Sequence, residues 1–210
     1  MALAAAADAA PTREGARPGA AHPDGLIGPN SVIQLAEALG AREGEAAVDR
    51  LFERAGLAVW RGRSLDAMIP EAVPAALFDA LFAAYPQDDA QAIAADAGRR
   101  TADYVMAHRI PGPVKTLLRL TPAPIAARLL LTAIGRNAWT FAGSGVFTSR
   151  YGGVSVIAIA GNPIAMPGCV WHAAVFTRLF RRLVSKKTTI RHPACRLAGD
   201  EACRFDIRLR

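Results

Sequence analysis

The stretch from Tyr151 to Thr177 contains no Asp, Glu, Lys or Arg, so most of it must be buried. A helix that crosses a membrane needs about 20 apolar residues in an unbroken run. Glycine and proline interrupt this stretch at six positions, which excludes such a helix. They are Gly152, Gly153, Gly161, Pro163, Pro167 and Gly168. The stretch therefore predicts a buried strand, a turn and a buried helix inside the core of a domain.

The composition of the chain changes after Asn137. Before it, apolar residues recur at helical spacing in segments such as NSVIQLAEALG and EAAVDRLFERAG, which end at glycine or proline. After it, WTFAGSGVFTSRY and GVSVIAIAGNP are rich in β-branched and aromatic residues and predict a hairpin. The segment CVWHAAVFTRLFRRLVS predicts a helix, and TTIRHPACRL with ACRFDIRLR predicts a second hairpin.

This order predicts an α+β fold, in which N-terminal helices pack on a small antiparallel sheet made of two hairpins that flank a helix. We expect one domain over residues 25–210. Residues 1–24 are rich in Ala, Pro and Gly, do not resemble a secretory signal and are predicted to be a disordered tail. Three cysteines in such a chain indicate a cytoplasmic protein, in which metal ligation is favoured over a disulfide.

The formal net charge of +7 comes entirely from the last 42 residues, which carry ten basic and three acidic side chains. A basic surface suits an acidic partner or an anionic small molecule, and it is also typical of an ordinary solvated face. We expect no nucleic-acid partner, because aromatic residues are not interleaved with the basic ones and no nucleic-acid-reading motif is present.

Two cysteines, Cys195 and Cys203, lie four residues on either side of Gly199. In an antiparallel hairpin with an odd-numbered loop they face each other, with Cβ atoms about 4.5–5.5 Å apart. At that separation both thiolates reach one zinc ion. Cys169 is the natural third ligand. Three buried apolar cysteines, or a cross-strand disulfide between Cys195 and Cys203, are the alternatives.

Two histidines compete for the fourth position of such a site. His172 follows Cys169 by three residues on the predicted helix, so the two side chains share a face. His192 precedes Cys195 by three residues, which in a regular strand places it on the opposite face. Pro193 lies between them and disrupts strand pairing, so a bulge there would turn His192 back toward the cysteines.

Residues 25–210 resemble the vinyl-4-reductase domain and, within it, the bacteriochlorophyll 4-vinyl (8-vinyl) reductase family. The segments IGPNSVIQLAEAL, WTFAGSGVF and CRLAGDEACRFDI carry the resemblance. Relatives of this domain in phenol-sensing regulators hold a structural zinc, with one cysteine far upstream and a carboxylate three residues before a C-x7-C pair. The resemblance therefore implies zinc at Cys169, His192, Cys195 and Cys203, with His192 where a glutamate is usual.

The reductase activity in the family's name finds no support in the residues themselves. A nicotinamide or flavin site of the Rossmann type needs a glycine-rich turn between a strand and a helix, and the nearest stretch, AGSG at 142–145, lies in a predicted hairpin. Iron–sulfur clusters normally take four cysteines, and zinc has no redox chemistry. The resemblance instead implies an accessory protein of bacteriochlorophyll synthesis that binds a tetrapyrrole, of the protoporphyrin or Mg-porphyrin type, and passes it between enzymes. The alternatives are a divinyl (proto)chlorophyllide 8-vinyl reductase with an external electron donor and an adaptor that binds no pigment.

The resemblance implies a cavity for a small hydrophobic molecule. Its predicted walls are Trp139, Phe141, Phe147, Tyr104 and Met106. Arginines are the predicted partners of propionate carboxylates, namely Arg150, Arg178 and Arg182. The alternative is that the aromatic residues are plain core and the arginines plain surface. The resemblance implies magnesium chelatase and Mg-protoporphyrin methyltransferase as partners, and a homodimer is possible.

Overall fold

The computed structural model describes residues 17–18 and 25–209, which form eight α-helices and seven strands. The helices are α1 (Asn30–Glu43), α2 (Glu45–Arg54), α3 (Ala72–Ala84), α4 (Gln87–His108), α5 (Gly112–Leu120), α6 (Ala123–Arg136), α7 (Trp139–Ala142) and α8 (Val170–Leu183). The strands are β1 (Arg17–Pro18), β2 (Leu26–Ile27), β3 (Ile69–Pro70), β4 (Val146–Arg150), β5 (Ser155–Ala160), β6 (Thr189–Ala194) and β7 (Ala202–Arg208). Short 3-10 turns occur at Ala58–Trp60, Pro167–Cys169 and Arg196–Ala198.

The strands form one five-stranded antiparallel sheet in the order β1-β4-β5-β7-β6, and β2 pairs with β3 apart from it. The central strand β5 alternates buried and half-buried residues, as expected when one face of a sheet covers the core. Strand β7 does the same and buries Cys203, Phe205 and Ile207. The ring of Phe176, on α8, meets that of Phe205 edge-on at 5.2 Å, so α8 packs on this face of the sheet.

Helix α8 also packs closely against α4. An alanine Cβ at Gly98 of α4 would lie 2.4 Å from the main-chain oxygen of Trp171, so the two backbones meet where glycine has no side chain. Helix α4 begins after Pro86 with two aspartates in its first turn, where negative charge suits the helix dipole. None of the helices in residues 25–209 combines the length and the apolar composition that crossing a bilayer requires.

The predicted α+β class, with the helix between two hairpins, is confirmed. The prediction of strand for Trp139–Ala142 is wrong, because these residues form the helical turn α7. Their aromatic side chains favour a strand, but tertiary contacts decide. The amide of Ala142 bonds to the carbonyl of Ala138 at 2.8 Å, and Glu71 accepts hydrogen bonds from the amide and hydroxyl of Ser144.

The pairing of β2 with β3 was not predicted, since neither two-residue strand has a recognisable pattern. Most of the predicted disordered tail at 1–24 lies outside the described residues. Within it, Arg17–Pro18 pairs with β4 opposite Ser149 and Thr148.

Candidate metal centre

The upstream cysteine is held by an unusual backbone at the start of α8. Gly168 and Cys169 both have positive φ angles, of 72° and 42°. Cys169 is the one non-glycine residue with positive φ among the described residues, and such a conformation persists only where the surroundings hold it. Its amide donates to the carbonyl of Met166 at 2.7 Å. The side chain is fully buried and points toward the last hairpin.

The last hairpin supplies the other three side chains. Ala194 pairs with Arg204, a register that places Cys195 opposite Cys203 one position further on. The register shifts between Arg191 and Ala194, so the irregularity predicted around Pro193 is present. It brings His192 to the same side of the hairpin as the cysteines.

The ligand atoms of the four side chains Cys169, His192, Cys195 and Cys203 all lie within 4.8 Å of one another. The Sγ atoms of Cys169 and Cys195 are 3.8 Å apart, and those of Cys169 and Cys203 are 3.2 Å apart. Zn–S bonds of about 2.3 Å at a tetrahedral angle require sulfur atoms about 3.8 Å apart. The residues therefore fit a tetrahedral zinc site with small adjustments.

His192 has the orientation of a ligand. Its ring stacks on that of Phe205, with the centroids 4.9 Å apart. Its buried Nε2 atom forms no hydrogen bond of regular geometry within residues 25–209, although the imidazole is close enough to Cys203 to help lower the pKa of that thiol. A buried nitrogen of this kind carries a free energy cost that binding a metal ion would remove.

The cysteines interact strongly as they stand. The thiol of Cys169 lies 3.2 Å from the sulfur of Cys203 and donates a hydrogen bond to it. This contact lowers the pKa of Cys203 and, together with burial, raises the pKa of Cys169. Cys203 thus loses its proton easily, and a bound cation would replace the proton on Cys169.

Asn162 supports the centre and was missed by sequence reasoning. It is fully buried, its amide nitrogen lies 4.0 Å from the sulfur of Cys169, and its Oδ1 accepts from the amide of Ile164 at 3.2 Å. Its main-chain carbonyl accepts from the Arg196 guanidinium at 3.2 Å, which ties this loop to the cysteine hairpin. The only signal in the sequence is an asparagine inside the uncharged stretch.

The competing histidine, His172, lies outside the group of four. It is fully buried, and its Nε2 donates to the carbonyl of Phe141 at 3.3 Å. Burial lowers its pKa to about 4, so its ring is neutral at pH 7.

The predicted ligand-binding side chains lie in separate places. Phe141 and Phe147 meet edge-on at 5.7 Å in the core, where Phe147 is only 1% exposed. Tyr104 lies on α4, and its ring is tilted by 40° against that of His108, with the centroids 4.7 Å apart. Met106 is buried on α4, and Trp139 is half-buried on α7. Arg150 is exposed at the end of β4, and Arg182 is exposed on α8. Arg178 donates two hydrogen bonds of 2.9 Å to Asp103.

A cleft that the sequence did not predict opens between α1, α2 and the segment that follows α2. Its volume is about 400 Å³. Its apolar lining includes Val32, Phe52, Trp60 and Leu65. The guanidinium of Arg63 lies over the Trp60 ring, 5.1 Å from its centroid. Two glutamates, Glu37 and Glu45, also line the cleft, so its surface combines apolar side chains with charges of both signs.

Comparison with known sequences finds a match to the vinyl-4-reductase domain over residues 157–209, which contains all four candidate metal ligands. A protein of Cereibacter sphaeroides described as the bacteriochlorophyll synthase 23 kDa chain is 41% identical over 187 residues, which is 86% of this chain and 89% of that protein. The protein of the same description from Rhodobacter capsulatus is 36% identical over 196 residues, covering 91% of each chain.

Solved structures of H-NOX proteins share the fold. The crystal structure of an H-NOX protein from S. oneidensis in the Fe(II)NO ligation state superimposes with a TM-score of 0.55 and 12% identity, over 88% of this chain and 99% of that one. A triple mutant of an H-NOX protein from S. oneidensis in the Fe(II) state gives 0.51 at 13% identity, over 88% and 96% of the two chains. At these identities the similarity concerns the fold alone.

Proposed function

We propose that this chain is an accessory protein of bacteriochlorophyll biosynthesis. It belongs to the family of the bacteriochlorophyll 4-vinyl reductases and bacteriochlorophyll synthase 23 kDa chains, which contain the vinyl-4-reductase domain. The observation that carries the proposal is the 41% identity over 86% of the chain. In more detail, the protein binds a tetrapyrrole intermediate, a protoporphyrin or Mg-porphyrin, and assists its transfer between enzymes of the pathway.

The metal in this proposal is a structural zinc held by Cys169, His192, Cys195 and Cys203. Four protein ligands complete a tetrahedron and leave no position for substrate, which is the pattern of structural rather than catalytic zinc sites. The ion would link the turn between β6 and β7 to the start of α8. The chemistry it supplies is neutralisation of thiolate charge inside the fold.

We propose the cleft beside Trp60 as the preferred of two candidate sites for the tetrapyrrole. Trp60 offers an aromatic ring, and Arg63, whose guanidinium lies over that ring, would move off it to pair with a propionate carboxylate. The predicted group around Phe141 and Phe147 is the second place, and it accepts a macrocycle only if the core opens, because these rings pack on each other. The same holds for Met106, which is 8% exposed.

The expected partners are magnesium chelatase and Mg-protoporphyrin methyltransferase, which the family resemblance implies. A carrier of this kind shortens the time that a hydrophobic, photoreactive macrocycle spends in water between two active sites. The basic surface at the C-terminal end of the chain is available for acidic patches on such enzymes. We also propose a homodimer, and gel filtration with light scattering tests this directly.

Titration of the purified protein with protoporphyrin tests the central claim. We expect a shift of the Soret band and quenching of tryptophan fluorescence. If the cleft is the site, Trp60→Ala should weaken porphyrin binding and Trp139→Ala should not, whereas the reverse result would favour the predicted group. Absence of any Soret shift would overturn the tetrapyrrole claim. Incubation of the same sample with a divinyl substrate and NADPH or reduced ferredoxin tests the alternative, since turnover would make the protein the reductase itself.

A further inference from the structure

One long segment of the chain carries charge of a single sign. Between Asp103 and Asp200 there is no acidic residue, while thirteen arginines and lysines occur there. Helices α5 and α6 lie within this segment and are joined by two residues, Thr121 and Pro122. The side chains of these two helices are therefore all basic or neutral.

The same two helices expose large apolar side chains. Helix α5 buries only Leu118 and leaves three apolar side chains in solvent at a spacing of three residues. Helix α6 buries one face and exposes an i, i+4 apolar pair on the other. The five side chains, which we call the α5–α6 surface, are Val114 (43% exposed), Leu117 (59%), Leu120 (80%), Ile125 (55%) and Leu129 (47%).

Cations occur on the same two helices as these apolar side chains. Arg119 is exposed on α5, and Arg128 and Arg136 are exposed on α6. Within residues 25–209, none of these three guanidinium groups forms an ion pair. The side chain of Arg119 donates to the main-chain carbonyl of Arg182 at 3.3 Å, so the α5–α6 surface continues onto the basic end of α8. Three further cations extend that end of α8 in sequence: Arg181, Lys186 and Lys187.

We propose that the α5–α6 surface docks on an anionic lipid bilayer. Exposed leucine, isoleucine and valine side chains, on helices whose arginines form no ion pair within residues 25–209, match an interface in which acyl chains lie just below phosphate groups. The apolar side chains enter the boundary of the hydrocarbon region, and the arginines stay at the level of the headgroups. The complementarity is one of charge as well as polarity, because this part of the chain has no carboxylate to repel an anionic membrane.

The bilayer explains both features better than a protein partner does. The core of a protein interface is depleted in charged residues, and its polar groups lie mostly at the rim. Here single-sign charges intersperse with apolar residues on two short helices whose outer faces stay exposed within the described part of the fold. A site on the membrane would also place a carrier where its hydrophobic cargo partitions, although the lipid contact itself does not depend on that cargo.

Flotation of the purified protein with lipid vesicles, in the absence of porphyrin, tests the proposal. We expect flotation with phosphatidylglycerol-containing vesicles, little with pure phosphatidylcholine, and loss of binding as salt shortens the Debye length from about 10 Å at 0.1 M to about 3 Å at 1 M. The variant Leu120→Ser should weaken binding about tenfold, since the lost methylene groups no longer enter the bilayer. Val59→Ser removes an equally exposed side chain (73%) elsewhere and should bind as the parent protein does.

A charge variant separates the electrostatic contribution. Arg128→Gln should weaken binding to anionic vesicles about fivefold, because each cation near an anionic surface contributes about that factor. Arg50→Gln on α2 is the matched control and should have no effect. Failure to float with anionic vesicles at low salt, or equal losses in Leu120→Ser and Val59→Ser, would overturn the proposal. A salt-sensitive complex of this surface with purified biosynthetic enzymes, without vesicle binding, would assign it to a protein partner instead and also overturn it.

Discussion

Replacing Gly98 with alanine is expected to destabilise the protein, because α4 and α8 touch at this residue. The added Cβ would lie 2.4 Å from the main-chain oxygen of Trp171 and 2.9 Å from the Cβ of Ala174. Neither atom belongs to a flexible side chain, so neither can rotate away. To restore a distance of 3.0 Å to the oxygen, the helices have to move apart by about 0.6 Å at the centre of their contact.

The magnitude follows from two opposing effects. Overpacking of a well-packed core costs about 1–3 kcal/mol, and rigid backbone neighbours place this case near about 3 kcal/mol. Alanine is the better helix former by about 1 kcal/mol, which offsets part of the cost. The net loss in the free energy of unfolding is therefore about 2 kcal/mol, equivalent to about 4–8 °C in Tm for a chain of this length.

Urea denaturation followed by circular dichroism measures the effect, with Gly112→Ala as the control. At Gly112 an added Cβ meets no atom within 4 Å, so this variant should stay within about 0.5 kcal/mol of the parent protein. If Gly98→Ala has the same midpoint and slope as the parent, α4 and α8 have room for a methyl group. That result would contradict the contact between the backbones of α4 and α8 at Gly98.

Three further predictions concern the metal centre, a buried histidine and a partly exposed ion pair. Cys203→Ser should abolish zinc retention and cost several kcal/mol, as seen by elemental analysis and thermal melts; a chelator should lower the Tm of the parent but not of the variant. Folding lowers the pKa of His172 to about 4, so the free energy of unfolding should decrease as pH drops from about 6.5 toward 4, by up to about 3 kcal/mol in total. Urea denaturation of His172→Gln at several pH values should show a shallower pH dependence than that of the parent protein. The two-pronged Arg178–Asp103 pair is partly exposed, so a double-mutant cycle on these two residues should give a coupling of about 1 kcal/mol, and a value above about 3 kcal/mol would contradict this.

The sequence by itself determined the features that depend on local pattern. Helical spacing of apolar residues located α1 and α2, whose stripes at Val32, Leu35, Val48 and Leu51 are buried. Alternation and β-branching located the two hairpins, and Pro193 indicated the irregularity in β6. These signals act over a few residues, so they can be read without knowledge of the rest of the fold.

The tertiary structure alone decided which distant residues meet. Cys169 is 26 residues from Cys195, and only the packing of α8 on the sheet brings their sulfur atoms to 3.8 Å. Spacing alone does not separate the two histidines, since both lie three residues from a cysteine; the family resemblance favoured His192, and the packing places His192, not His172, beside the three cysteines. The cleft beside Trp60 and the turn at Trp139–Ala142 arise from contacts between segments far apart in the chain, and local propensity carries no record of such contacts.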